Sequence, residues 1–186
     1  YVVVATMTPD YFFPGSAPFL QRKLGLEHIP CLDIRQQCAG FVYALQLADA
    51  LIRSGQSRRI LVVGAEAHAS LIPWSPESWR IALGASEGPV SPEDFERNTV
   101  TRDRVVLFGD GAGAVVLETL EMAQARGAPI LGEIMGFACG NNGGDLILPN
   151  IDGIRRTIEA GLEIAGLRPE QIDFISAHAT GTKMGD

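Results

Sequence analysis

The chain has 186 residues, and its 15 Lys and Arg against 22 Asp and Glu give a formal net charge of −7. Apolar residues make up 46% and charged residues 20%, which is the composition of a folded globular domain and excludes intrinsic disorder. The acidic balance argues against nucleic acid as the main partner, and no apolar run reaches the roughly 18 residues that a membrane helix needs.

Short apolar runs bounded by turn residues predict buried parallel strands along the chain. Helical patterns alternate with these runs, and the clearest pattern covers residues 39–53. Strands that alternate with helices predict an α/β fold with a largely parallel sheet. The predicted strands are Val2–Ala5, Leu32–Ile34, Ile60–Val63, Ala114–Leu117, Ile130–Met135 and Ile172–Ser176, and the further predicted helices are Glu118–Arg126 and Asp152–Ala165.

The helix predicted over residues 39–53 carries apolar side chains on more than one face. Its main apolar stripe is formed by Phe41, Leu45, Ala48 and Ile52. Val42, Leu47 and Leu51 lie outside this stripe, so we expect the helix to be buried nearly all round. The segment Pro73–Arg104 is rich in Pro, Ser, Gly and charged residues. Its length predicts a functional loop.

Cys38 lies where the predicted strand Leu32–Ile34 turns into this helix. The positive end of the helix dipole favours the thiolate form at this position. The free amides of the first turn can donate to a developing oxyanion, and the small Ala39 and Gly40 leave room for a substrate. We therefore interpret Cys38 as a candidate nucleophile, with a buried structural cysteine as the alternative.

His178 directly follows the predicted strand Ile172–Ser176, at the end where open α/β sheets place their sites. Thr180 and Thr182 add hydroxyl groups at alternate positions. A Cys and a His that are distant in sequence and meet in space form a usual nucleophile pattern. We therefore expect His178 to face Cys38, with a structural histidine as the alternative.

The glycine-rich turn at residues 109–113 precedes a predicted strand. A phosphate cradle follows a strand and opens a helix, so we interpret this turn as tight packing beside the site. The three cysteines, Cys31, Cys38 and Cys139, lack the spacing of metal ligands. They indicate free thiols in a reducing compartment, with no metal site, and we expect a cytoplasmic protein.

Together these motifs resemble the condensing enzymes of the thiolase superfamily, the β-ketoacyl synthases of fatty-acid and polyketide synthesis. Residues 38–41 and 107–114 are similar to the ketoacyl synthase III branch, and residues 124–128 and 177–182 are more similar to the I/II branch. The resemblance implies a thiolase-like αβαβα layered fold. It assigns residues 1–118 to part of the N-terminal half, which carries the cysteine, and residues 119–186 to the start of the C-terminal half, which carries the histidine.

The resemblance also implies a role for each matching residue. Cys38 would be the acylated nucleophile, and His178 would donate a hydrogen bond to the enolate formed by malonyl decarboxylation. Thr180 and Thr182 match hydroxyls that contact the pantetheine arm, and Phe13 matches a substrate-binding position that reaches across a dimer into the partner's site. The reaction implied is an acyl transfer that forms a β-ketoacyl thioester by decarboxylative Claisen condensation.

No cofactor is expected, because coenzyme A or the phosphopantetheine of acyl carrier protein carries the substrates. The partners expected are acyl-CoA or acyl carrier protein and a second copy in a homodimer, with no nucleic acid and no membrane. Acyl carrier protein is acidic, so Arg22-Lys23, Arg58-Arg59 and Lys183 are candidate docking residues.

Two other functions stay open at this point. One is a non-decarboxylating acyltransferase on the same scaffold, and the other is a catalytically silent partner subunit, against which the presence of Cys38 counts. The chain begins at Tyr1 inside a predicted strand, without a Met. We therefore expect a fragment whose layered fold is incomplete, with the third catalytic residue and the second oxyanion donor outside this chain.

Overall fold

The computed structural model describes residues 1–68, 109–143 and 150–180. The chain divides into two compact units, one formed by Tyr1–Ala67 with Asp110–Cys139 and the other by His68–Gly109 with Gly140–Asp186. The predicted loop Pro73–Arg104 lies outside the described residues. Within the described ranges, no helix is both long and apolar enough to cross a membrane.

The first unit contains a four-stranded sheet in the order β2-β1-β3-β4. Strand β1 pairs in parallel with both β2 and β3, which confirms three of the predicted strands. The predicted strand Ala114–Leu117 is also present, as part of β4. It pairs antiparallel with β3, so the predicted parallel direction was wrong. The strands are β1 at Val2–Ala5, β2 at Cys31–Ile34, β3 at Arg59–Glu66 and β4 at Gly111–Glu118.

Two predicted strands, Ile130–Met135 and Ile172–Ser176, are irregular backbone. Leu131 is 97% exposed and Phe174 is 82% exposed, so neither segment is buried in a sheet. A strand requires a hydrogen-bonded neighbour, and among the described residues neither segment pairs with one. An apolar run supplies the surface that a strand buries, but it does not supply the partner.

Helix α2, Gly40–Arg53, packs one face on the sheet. Its buried residues Ala44 and Ala48 contact the side chains of β1 and β3 that point to this face, including Val3 and Ile60. The expectation that the helix is buried all round was wrong, because Val42 on the far face is 42% exposed. Small side chains at the contact allow the helix axis to approach the sheet closely.

Helix α1, Ser16–Lys23, covers the opposite face of the sheet and was not predicted. Its buried Ala17 packs against Val2 and Val4 of β1. The residue that caps the start of this helix is distant in sequence. The carboxylate of Asp33 in β2 accepts hydrogen bonds from the amides of Ser16 at 2.8 Å and Ala17 at 3.0 Å, which satisfies donors that have no intrahelical partner.

Replacing Asp33 by Ala is expected to lower the free energy of unfolding by about 1–2 kcal/mol, because two helix amides lose their acceptor. Replacing Asp33 by Asn keeps one acceptor oxygen in place and should cost less. Urea unfolding followed by circular dichroism measures both values. Equal stability of the Ala and Asn variants would contradict the capping role.

After β4 the chain forms the short helix α3, Leu120–Ala125, which lies within the predicted helix Glu118–Arg126. Glu118 at the end of β4 accepts a hydrogen bond from Arg59 Nε at 2.9 Å and further hydrogen bonds from the Arg126 guanidinium. The hydrogen bond from Arg126 lowers the pKa of the Glu118 carboxyl. This carboxylate therefore links the first residue of β3 to the end of α3.

In the second unit, helix α4 covers Ile151–Ala165, which confirms the predicted helix. The Asn150 side chain caps its start by accepting a hydrogen bond from the Gly153 amide at 2.8 Å. Gly166 ends it in the left-handed conformation, with φ 66°, as the sequence predicts. Pro169–Gln171 then form a 3₁₀ turn.

Candidate functional site

A cleft of about 330 Å³ lies in the first unit, where the parallel strands β1 and β3 end. This is the edge at which open α/β sheets place their sites. The start of α2 and the start of β4 complete the walls. The lining residues are Ala5, Gln37, Cys38, Phe41, Gly64, Ala65, Glu66, Gly111, Ala112 and Gly113.

Cys38 reaches this cleft from a 3₁₀ turn, Gln37–Ala39, that leads directly into α2. Among the described residues its thiol is free and exposed, which favours the interpretation as a nucleophile over that of a buried structural cysteine. Gln37 before it has a φ of 39°, a left-handed conformation that is uncommon for a residue with a side chain and is often found at functional sites. The sharp turn between β2 and α2 therefore presents the thiol to the cleft.

The start of α2 lies very close to β1. A Cβ added at Gly40 would be 3.3 Å from the Cβ of Ala5, which is tight for a side-chain contact. The absence of a side chain at Gly40 therefore allows the cysteine turn to approach the end of β1. The amide of Cys38 belongs to the first turn of this helical segment, where backbone N–H groups lack intrahelical partners and can donate to an oxyanion.

Glu66, at the end of β3, places a carboxylate beside the cleft. Its Oε1 accepts a hydrogen bond from the Met7 amide at 2.9 Å, and its Oε2 accepts one from the Thr8 hydroxyl at 2.7 Å. The Thr8 hydroxyl in turn accepts a hydrogen bond from the Ala67 amide at 2.8 Å. Both carboxylate oxygens are thus used to fix the segment that follows β1 against the end of β3.

The two other thiols have different surroundings. Both are partly buried, whereas Cys38 is exposed. The Cys31 thiol donates to Gln21 Oε1 at 3.5 Å, and burial raises the pKa of the Cys139 thiol. The cysteines that do not line the cleft are therefore less accessible than Cys38.

His178 lies in the second unit, in exposed irregular backbone after residues 172–176. The next residue, Ala179, has a φ of 39°, again a conformation that is uncommon outside glycine. Because Cys38 and His178 belong to different units, their meeting in space stays a prediction. Thr180 is partly buried, and Thr182 lies outside the described residues.

Two protein families match the chain, each over a different part. Residues 32–91 match 3-Oxoacyl-[acyl-carrier-protein (ACP)] synthase III, and residues 131–186 match Beta-ketoacyl synthase, C-terminal domain. This division agrees with the sequence prediction, in which the first part resembles the III branch and the second part resembles the I/II branch.

Full-length relatives agree with these matches. The chain is 31% identical over 208 residues to the beta-ketoacyl-[acyl-carrier-protein] synthase III of Paracoccus denitrificans (strain Pd 1222), covering 98% of this chain and 56% of that protein. The solved ishigamide ketosynthase/chain length factor has a TM-score of 0.70 and 27% identity, covering 100% of this chain and 51% of that chain. The chain belongs to the β-ketoacyl synthases of the thiolase superfamily.

A further solved structure is a type II PKS acyl-carrier protein in complex with its ketosynthase, AntDE:AntF, with a TM-score of 0.68 and 29% identity. The match covers 91% of this chain and 42% of that chain. The predicted thiolase-like α/β fold is therefore confirmed by structures as well as by sequence. This β-ketoacyl synthase chain spans about half the length of the curated relatives that it matches.

The aromatic residue predicted to contact substrate, Phe13, does not line the cleft of this ketoacyl synthase. It is 91% exposed and lies in the loop before α1, where the neighbouring Tyr11 packs on Phe19 with ring centroids 5.1 Å apart. A contact from Phe13 to the site of a partner subunit stays a prediction.

Among the described residues, the two basic pairs predicted to dock an acidic carrier lie away from the cleft. Arg58-Arg59 precede and begin β3, whereas the cleft lies at its other end, at Gly64–Glu66. Arg59 also donates to Glu118. Arg22-Lys23 end α1, whose first residues contact the end of β2. Lys183 lies outside the described residues.

Sequence reasoning missed Glu66 and the glycines of β3 and β4 as cleft residues. Glu66 is one acidic residue after an apolar strand, and its spacing carries no signal of a contact with residues 7 and 8. The glycine-rich segment at residues 109–113 was interpreted as a tight turn beside the site. Residues 111–113 belong to β4 instead, and they supply three residues of the cleft lining. The sequence did not show the strand register that pairs these residues with the end of β3.

Proposed function

We propose that the protein carrying this chain forms a β-ketoacyl thioester by decarboxylative Claisen condensation of an acyl thioester with a malonyl thioester. The observation that carries this proposal is the free, exposed thiol of Cys38 in a cleft at the start of a helix. The family of the chain supports it, since the relative from Paracoccus denitrificans is a beta-ketoacyl-[acyl-carrier-protein] synthase III.

In the first half-reaction, the Cys38 thiolate attacks the carbonyl carbon of the acyl thioester. The developing oxyanion accepts hydrogen bonds from backbone amides, among which the amide of Cys38 is placed to take part. The carbon–sulfur bond to the carrier then breaks, and the carrier thiolate leaves and takes up a proton. The acyl group is now held on Cys38 as a thioester.

In the second half-reaction, the malonyl thioester loses carbon dioxide as its carboxylate carbon–carbon bond breaks. The electron pair remains as an enolate, whose oxygen needs a hydrogen-bond donor that does not protonate it. We assign this role to His178. The enolate carbon then attacks the acyl group, a carbon–carbon bond forms, and the Cys38 thiolate leaves.

The carrier is proposed to be coenzyme A or the phosphopantetheine of acyl carrier protein, contacted by Thr180 and Thr182. A neighbouring ketosynthase is known in complex with its acyl-carrier protein, which supports a carrier protein as the partner. We further propose a cytoplasmic homodimer, in which Phe13 reaches the partner subunit. Residues 1–118 would belong to the N-terminal thiolase-like half, and residues 119–186 would begin the C-terminal half.

The protein that contains this chain should consume acetyl and malonyl thioesters and release one carbon dioxide for each β-ketoacyl thioester formed. Mass spectrometry of the thioester products and capture of labelled carbon dioxide measure this ratio. Acyl transfer to an oxygen or nitrogen nucleophile without carbon dioxide release would instead identify a non-decarboxylating acyltransferase. Absence of any acyl transfer would overturn the proposal and favour a silent partner subunit.

A further inference from the structure

Two glycines of β4, Gly111 and Gly113, lie on the same face of the sheet as the cysteine-bearing helix. They pair with Glu66 and Gly64 of β3 in the antiparallel register, and directly opposite residues point to the same face. Gly64 faces helix α2, because a Cβ added there would be 3.0 Å from Cδ2 of Phe41 in α2. Side chains at 111 and 113 would therefore project toward the start of α2.

The backbone does not require glycine at these two positions. Neither residue is among those with positive φ, and within the described part of the chain no atom lies within 4 Å of an added Cβ at either one. Gly64 differs, because an added Cβ there would meet Phe41. Glycine in a strand interior weakens the strand and often marks the close approach of a ligand or another backbone.

The space that these glycines leave open is the cleft itself. Gly111 and Gly113 both line it together with Cys38. Apolar side chains, those of Ala5, Phe41 and Ala65 among them, make up much of the remaining wall. The carboxylate oxygens of Glu66 are already hydrogen-bonded to residues 7 and 8, so this wall suits an uncharged aliphatic group.

We propose that Gly111 and Gly113 are specificity-determining residues, whose missing side chains make room for the aliphatic acyl chain carried on Cys38. This inference rests on the proposed function and deepens it. A side chain at either position occupies part of the cleft and shortens the acyl chain that fits. The acetyl group is the least affected, because it extends least from the sulfur.

The test compares Gly113→Val and Gly113→Ala with a control, Ala114→Val, in the protein that contains the whole chain. Ala114 lies on the same strand but pairs with Val63 on the other face of the sheet, and it does not line the cleft. The probes are acetyl-, butyryl- and octanoyl-CoA. The measured quantity is kcat/KM for acylation of Cys38, followed by mass spectrometry, with thermal unfolding as the check on folding.

Each methylene kept out of an apolar site costs about fourfold in affinity, so exclusion of two methylenes should lower the octanoyl-to-acetyl ratio of kcat/KM about tenfold or more in Gly113→Val. The Gly113→Ala ratio should fall less, and the Ala114→Val ratio should stay at the wild-type value. If Gly113→Val does not fold, Gly113→Ala and Gly111→Ala provide the same comparison.

A folded Gly113→Val protein with the wild-type ratio would overturn the inference while leaving the proposed function intact. A wild-type protein that accepts only the acetyl probe would also overturn it, because the cleft would then have no room for a longer chain. A wild-type protein that none of the probes acylates would overturn the proposed function, and this inference with it.

Discussion

Replacing Cys38 by Ala is expected to reduce acylation of the protein by acyl thioesters by about a thousandfold or more, because the variant has no nucleophile at the cleft. The backbone amides that would stabilise the oxyanion remain, but without the Cys38 thiolate no group attacks the carbonyl carbon of the acyl thioester. Incubation with a labelled acyl thioester, followed by mass spectrometry of the intact protein, measures the loss of the acyl adduct.

The matched controls are Cys31→Ala and Cys139→Ala. Both thiols are free but partly buried, and burial raises the pKa of Cys139, so neither change should remove the adduct. In the wild-type protein, iodoacetamide should label Cys38 first, and prior incubation with an acyl thioester should block that labelling. An acyl adduct of normal yield in Cys38→Ala would refute the assignment of the nucleophile.

Replacing His178 by Ala is expected to leave acylation of Cys38 close to the wild-type rate and to slow carbon dioxide release about 10²- to 10³-fold, the usual effect of removing one donor to a developing oxyanion. The two half-reactions are separated because the enolate forms only in the second. Acyl adduct formation and release of labelled carbon dioxide from a malonyl thioester are measured on the same preparation.

The control for this variant is His28→Asn. His28 is exposed and has a φ of 57°, a conformation that Asn tolerates better than Ala, so the change removes an imidazole without straining the backbone. It should affect neither half-reaction. Undiminished carbon dioxide release by His178→Ala would show that another group stabilises the enolate, and loss of acylation would indicate a structural role instead.

The fold was predictable where local pattern and tertiary structure require the same residues. The apolar run Val2–Ala5 is fully buried between its neighbours, and the apolar stripe from Phe41 to Ile52 has the spacing of a helix that packs on a sheet. The turn glycine Gly166 was also predictable, because left-handed backbone favours glycine locally. These features depend on residues within a few positions of one another.

At the cleft, the position of Cys38 was predictable from the sequence, whereas the residues of the walls were not. Cys38 was identified from a strand, a turn and a helix that follow one another in sequence. It does lie exposed at the cleft, and its role as the nucleophile stays a prediction. The beginning of α1 was not predictable, because its capping group, Asp33, lies 17 residues beyond Ser16. The irregular backbone at residues 130–135 was missed for a related reason, since an apolar run alone does not specify a strand partner.

By itself, the sequence determined the family, the place of Cys38 at the start of a helix and the alternation of strands and helices, because each of these depends on residue type at short spacing. Only the tertiary structure decided that β4 runs antiparallel to β3, that Glu66 binds the segment after β1, and that Gly111 and Gly113 open onto the cleft beside Cys38. The physical reason is that strand register and direction depend on pairing between residues about fifty positions apart, which no local pattern encodes.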